Sequence, residues 1–125
     1  MIRVKVRRAV SRAEARRIAK TVVNSPLIKT MAYGADPNVG RIMMAAGKCF
    51  DCNIDRDRFE ASINGTVVIN AGQKAAFDEQ LLRQRLAGDP VEIVLDLGVG
   101  EEEATAFGCD LTEGYIRENA SYYSS

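Results

Sequence analysis

Between Asn24 and Arg41 the chain reads NSPLIKTMAYGADPNVGR, and this segment holds two of its three prolines and two of its ten glycines. Proline breaks a helix from inside but suits its first position, where the missing N–H has no intrahelical partner. Ser25-Pro26 and Asp36-Pro37 each set a capping side chain directly before such a proline. The segment therefore ends one helix at Asn24, starts a short one at Pro26, punctuates at Gly34 and starts another at Pro37. On physical grounds it is a well-capped connector. Its functional alternative is a polar turn whose helix N-terminus offers free N–H groups to an anion.

The flanking sequence has clear periods. Ile2, Val4 and Val6 alternate with Arg3, Lys5 and Arg7, which predicts a half-buried strand. Ser11 and Glu14 have the spacing of a capping box, and Ala15, Ile18, Ala19, Val22 and Val23 then form one apolar helical stripe. The helix from Pro37 carries Ile42, Met43 and Ala46 and stops near Gly47; KCFDCNIDRDR after it reads as a polar loop. Phe59, Ala61 and Ile63 alternate up to Asn64-Gly65, and Thr66 to Ile69 follows. That pattern predicts a hairpin on a type I′ turn, since both turn residues tolerate positive φ. A helix is expected from Ala75 to Ala87 with Phe77, Leu81 and Leu82 inward and Gly88 as its stop. Asp89-Pro90 makes a turn. Val91, Ile93, Leu95 and Leu97 mark a strand, Gly98 to Glu103 an acidic turn, Ala104 to Cys109 a further strand, and Asp110 with Glu113 the start of a helix over Leu111 to Asn119. Interspersed strands and helices with one antiparallel hairpin predict a single α+β domain over residues 1–125, with helices packed on a mixed sheet.

Composition narrows the function classes. Seventeen basic residues balance seventeen acidic ones, so bulk charge predicts no nucleic-acid partner. The basic residues do gather early, and Arg12, Arg16 and Lys20 recur every four residues. A polyanion-binding arm is one reading; the solvated face of a helix is the favoured one. No apolar run approaches the roughly eighteen residues of a membrane span, and the charge-threaded start MIRVKVRRAV does not read as a signal peptide. Three cysteines, an odd number, fit a reducing cytoplasm better than a disulfide framework.

Few constellations could carry chemistry. The chain has no histidine, so no Ser-His or Cys-His couple exists within it. Cys49-Phe50-Asp51-Cys52 lacks partners for a four-ligand zinc site, with only Cys109 left, and it follows a helix instead of opening one as a redox pair does. Asp55 and Asp57 read as solvated loop charges. Gly98-Val99-Gly100 lacks the dinucleotide-binding spacing. No catalytic residue, metal ligand or cofactor is assigned from these patterns.

Two stretches resemble the ornithine acetyltransferase (glutamate N-acetyltransferase) family of arginine biosynthesis. The first is Ser25-Pro26-Leu27-Ile28-Lys29-Thr30, Gly34 and Asp36-Pro37-Asn38-Val39-Gly40-Arg41, against a family segment like SPLVKTAxFGxDPNWGR. The second is Ala104-Thr105-Ala106-Phe107-Gly108-Cys109-Asp110-Leu111-Thr112, against ATAWGCDLT. The SRAEARRIAK helix and the ending around Tyr115-Ile116 and Asn119 to Ser124 are similar too, so the likeness covers nearly the whole chain. Val39 departs from it, standing where the family usually has tryptophan.

The resemblance implies a ubiquitin-like roll for the C-terminal domain of the second, or beta, chain of a self-cleaving cytoplasmic enzyme. That enzyme moves acetyl from N-acetylornithine to glutamate through an acetyl-threonine. It implies that the nucleophile and oxyanion hole lie upstream of this sequence, so the chain alone would be inactive. Thr30, Thr105 and Thr112 sit in no cleavage motif. It implies Asn119 and Ser124 as substrate-binding residues, with Ser125 able to replace Ser124. The implied partners are the upstream domain and the alpha chain, in a hetero-oligomer, with the two small-molecule substrates. A stand-alone amino-acid-binding domain and a structural subunit are the alternatives.

Overall fold

The computed structural model describes residues 1–33, 38–49, 51–88 and 90–108. At its centre is β1 (Ile2–Ala9), whose alternation buries Ile2, Val4 and Val6 completely. It pairs in parallel with β5 (Val91–Asp96) and antiparallel with β6 (Glu102–Gly108). β5 pairs antiparallel with β2 (Glu60–Ile63), which continues through β3 (Thr66–Asn70) to β4 (Gln73–Lys74). The six described strands make one mixed sheet in the order β4-β3-β2-β5-β1-β6.

Register explains the core. Ala106, Val4, Ile93 and Ile63 form one row across four strands, and Ala104, Val6, Leu95 and Ala61 the next. The period of two keeps both rows on one face. Helix α1 (Arg12–Val23) packs its stripe Ala15, Ile18, Ala19, Val22 and Val23 onto β1 and β6. Helices α2 (Pro26–Tyr33) and α3 (Gly40–Ala46) pack against α1 and each other, and α4 (Glu79–Leu86) against β2. The α+β class with a mixed sheet is as expected. Arg12, Arg16 and Lys20 are all exposed, the solvated face expected of them.

The opposite sheet face is polar. Arg3 pairs with Glu92, its register partner on β5, and Lys5 reaches Glu103 at 3.9 Å. Asn64 and Gly65 take φ of 46° and 86°, as the type I′ hairpin requires.

Several local expectations need correction. The capping box is half formed: Ser11 Oγ accepts from the Glu14 N–H at 3.1 Å, but the Glu14 carboxylate turns away to Asn53. Helix α4 begins at Glu79, not Ala75, because Asp78 caps it, accepting from the Gln80 and Leu81 N–H groups at 3.0 and 3.2 Å. Its buried residues are Leu82 and Leu86, whereas Leu81 is 39% exposed. A second hairpin joins β3 to β4, with Ala71 and Gly72 at φ of 52° and 73°. The acidic turn is shorter than expected, since Glu102 and Glu103 already belong to β6. The expected helix over Leu111 to Asn119 lies outside the described residues.

Candidate functional site

The proline-punctuated segment forms the two helices expected, with changed details. Helix α2 starts at Pro26, and the Ser25 carbonyl accepts from the Ile28 and Lys29 N–H groups, both at 3.1 Å. The Ser25 hydroxyl does not cap it: it is buried without a hydrogen-bond partner among the described residues. Helix α3 starts at Gly40, directly after Val39, whose backbone is already right-handed helical (φ −71°, ψ −15°), so it begins later than expected from Pro37. Gly34 to Pro37, including the cap expected of Asp36, lie outside the described residues. Val39 is a core residue, 2% exposed. Lys29 is 3% exposed; burial of its long polar side chain has no signature in a periodicity count.

The second stretch arrives on β6. Ala104 and Ala106 face α1, and Thr105 and Phe107 face outward, Phe107 being 60% exposed. The strand ends against α1 at Gly108. A Cβ built there would lie 2.8 Å from Val23 Cγ2 and 3.1 Å from the Val23 carbonyl oxygen, so the close approach requires glycine. The fold thus brings the end of β6 against the last residue of α1, where the segment from Asn24 begins. Two stretches some eighty positions apart in sequence become neighbours. Asn119 and Ser124 lie outside the described residues.

The other constellations have structural explanations. Thr30 Oγ1 donates back to the Pro26 carbonyl at 2.9 Å, and Thr105 points outward from β6. Asp55 caps the 3-10 turn Arg56–Arg58 by accepting from the Asp57 N–H at 3.0 Å, and it lies 3.6 Å from Arg58. A Cβ on Gly100 would come within 2.1 Å of the Ala9 carbonyl oxygen. The Val99 and Gly100 N–H groups donate to the Arg8 carbonyl at 3.0 and 2.9 Å. Gly100 therefore serves close packing on β1, while Gly98 takes a positive φ of 65°.

The loop after α3 is more ordered in its contacts than its polar composition suggested. Glu14, Arg17 and Thr21 form one stripe of α1 at helical spacing. Glu14 accepts from the Asn53 backbone N–H at 2.6 Å, Arg17 pairs with Asp51, and Thr21 Oγ1 lies 3.3 Å from Cys49 Sγ. The Arg17 guanidinium holds the Asp51 carboxyl below the usual carboxylate range. Burial, then the neighbouring Cys49, pushes the Cys52 thiol up. Among the described residues no three His, Cys, Asp or Glu side chains gather as a metal-ligand set, and no helix is long and apolar enough to cross a membrane.

Comparison with known proteins agrees with this arrangement. The model of the ArgJ family matches residues 1–124. A glutamate N-acetyltransferase, Oat2, of Streptomyces clavuligerus is 42% identical over 98% of this chain, which covers 32% of that protein. A glutamate N-acetyltransferase of Methanosarcina mazei gives the same figures, 42%, 98% and 32%. An arginine biosynthesis bifunctional protein of Rhodococcoides fascians is 43% identical over 91% of this chain and 29% of its own length. The crystal structure of the arginine biosynthesis bifunctional protein from Bacillus halodurans superposes with a TM-score of 0.85 at 38% identity, covering 97% of this chain and 57% of that one. The chain spans about a third of the length of these curated relatives. With a family match over nearly every residue and a shared fold, the chain belongs to the ArgJ family.

Proposed function

We propose that this chain is the C-terminal, substrate-side domain of an enzyme that transfers acetyl from N-acetylornithine to glutamate. The observation that carries the reading is the contact between Gly108 and Val23. It brings together the two stretches that resemble the family, and Asn119 and Ser124 follow β6 in the sequence. Their amide and hydroxyl groups offer donors and acceptors to the carboxylate and amine of an amino acid. The threonine that takes the acetyl group comes from the upstream part of the enzyme, which completes the site together with the alpha chain. This domain orients the substrate, which places the acetyl carbon for attack. The setting is the cytoplasm, with no nucleic acid, membrane or cofactor involved.

The test is acetyl transfer by the assembled enzyme. The chain is co-expressed with the upstream domain and alpha chain, N-acetylornithine and glutamate are supplied, and ornithine release is followed. Activity that requires this chain, with KM raised roughly tenfold or more by Asn119→Ala or Ser124→Ala, is the expected result. A complex that assembles but releases no ornithine, or that tolerates both substitutions, overturns the proposal.

A further inference from the structure

We propose that Met43, Cys49 and Cys52 form a site for copper(I), in the cavity between α3 and the loop that follows it. The sequence excludes tetrahedral zinc for want of ligands, but the fold adds a third sulfur. Met43, on α3, lines the same cavity of about 140 Å³ as Cys49 and Cys52, together with Ala46, Ile54 and Phe59. Two thiols and a thioether are the soft donors that select copper(I), and the remaining walls offer hard ions little oxygen. The volume is ample for a single ion.

The two cysteines are held ready. The Cys52 N–H donates to the Cys49 carbonyl at 2.9 Å, closing a four-residue turn that keeps their Cα atoms within about 7 Å. Helix α1 clamps this turn from outside: Arg17 holds Asp51 and Glu14 holds Asn53. Thr21 Oγ1, 3.3 Å from Cys49 Sγ, supplies an outer-shell hydroxyl that can turn to donate once the sulfur is a thiolate. Binding releases one proton from each thiol to solvent and forms two copper–thiolate bonds and one thioether bond. No electron is transferred. The centre carries one net negative charge.

The experiment titrates the reduced chain anaerobically with copper(I) held by a chromogenic chelator. A Cys109→Ser background removes the third thiol. One equivalent of copper is expected to pass to the protein, with a near-ultraviolet thiolate-to-copper band and shielding of Cys49 and Cys52 from iodoacetamide. Zinc in the same competition leaves both thiols open. Met43→Leu, which keeps the volume, weakens retention at least about tenfold, and Cys52→Ser abolishes it. The shielding is read on chains with the site intact, so it stands whether or not the variants fold. Failure to withdraw copper, copper uptake that leaves the two thiols open to alkylation, or equal shielding by zinc overturns the site; unchanged retention in Met43→Leu removes Met43 from it.

Discussion

Arg8 Nε donates to Asp96 Oδ1 at 2.6 Å, and the same oxygen accepts from the Gly98 N–H at 3.1 Å. Arg8 sits at φ 53°, in the irregularity of β1 between Val6 and Ala9. One carboxylate therefore fixes both the bulge in β1 and the turn leaving β5. Asp96 is only 15% exposed, while Arg8 is 55% exposed. Removing the more buried partner strands a backbone donor; removing the exposed one does not. Asp96→Ala is expected to lower unfolding free energy by about 1–3 kcal/mol, and Arg8→Ala by clearly less. Urea unfolding of the two variants checks the ordering.

Asn64 does more than turn the chain. Its side chain donates to the Arg85 carbonyl and accepts from the Glu92 N–H, both at 2.8 Å. Its own N–H donates to the Glu92 carbonyl at 2.8 Å, and Arg85 Nη1 donates to its carbonyl at 2.7 Å. It thereby ties the hairpin to β5 and to the end of α4. Asn64→Gly keeps the positive φ and loses the side-chain bonds; Asn64→Ala loses both. The expected costs are about 1–2 kcal/mol for glycine and roughly 1 kcal/mol more for alanine. Equal stabilities of wild type and Asn64→Gly in chemical denaturation would show that the side-chain bonds contribute nothing.

The Arg17–Asp51 pair gives a pH signature. Arg17 lowers the Asp51 pKa in the fold, so the folded state binds that proton more weakly than the unfolded chain. Its contribution is complete above the ordinary carboxylate range and is lost as pH falls through the depressed value. Wild type and Asp51→Asn should therefore differ in urea midpoint at neutral pH and converge as pH falls through that depressed value. The gap should also narrow in high salt, since both side chains are about half exposed. A constant gap across pH would show that Asp51 acts through something other than its charge.

What the sequence made legible was local. The β1 alternation, the stripe on α1 and Asn64-Gly65 each follow from a period or a turn rule within a few residues. The Ala71-Gly72 hairpin was hidden because alanine rarely takes φ near 52°; here Gly72 makes the turn possible, its N–H donating to the Phe59 carbonyl at 3.0 Å. The false start of α4 at Ala75 arose because Ala75 to Phe77 have helical composition, whereas the capping side chain is Asp78. The parallel pairing of β1 with β5 has no local signature, since it joins residues some ninety positions apart. The same holds for the site: Gly108 reads as a strand end, and only its 2.8 Å approach to Val23 shows what it brings together. Glu14 read as the capping partner of Ser11, and the contacts of Arg17 and Thr21 had no signature, because the partners of all three lie in a loop without periodicity.

Gly108 links fold and function in one prediction. Gly108→Ala drives a methyl group into Val23 and its carbonyl, where backbone cannot yield cheaply. The expected loss is about 1–3 kcal/mol of stability. In the assembled enzyme, ornithine release should fall by more than the unfolded fraction explains, because the strand end beside Asn24 is displaced. Activity that tracks folded protein one for one would separate this contact from the substrate site.

Val39 offers a complementary test, since the family pattern has tryptophan there and this chain buries valine at 2% exposure. Valine at the position before α3 makes no side-chain cap, so its contribution is packing. Restoring the family residue inserts a large ring into a filled space, and overpacking of this kind costs about 1–3 kcal/mol. Val39→Trp should thus lower the thermal midpoint of this chain, while Val39→Ala lowers it through the cavity left behind. A Val39→Trp chain at least as stable as wild type would show that the space for the ring exists already, and that the valine reflects a changed contact with the rest of the enzyme and not a repacked core.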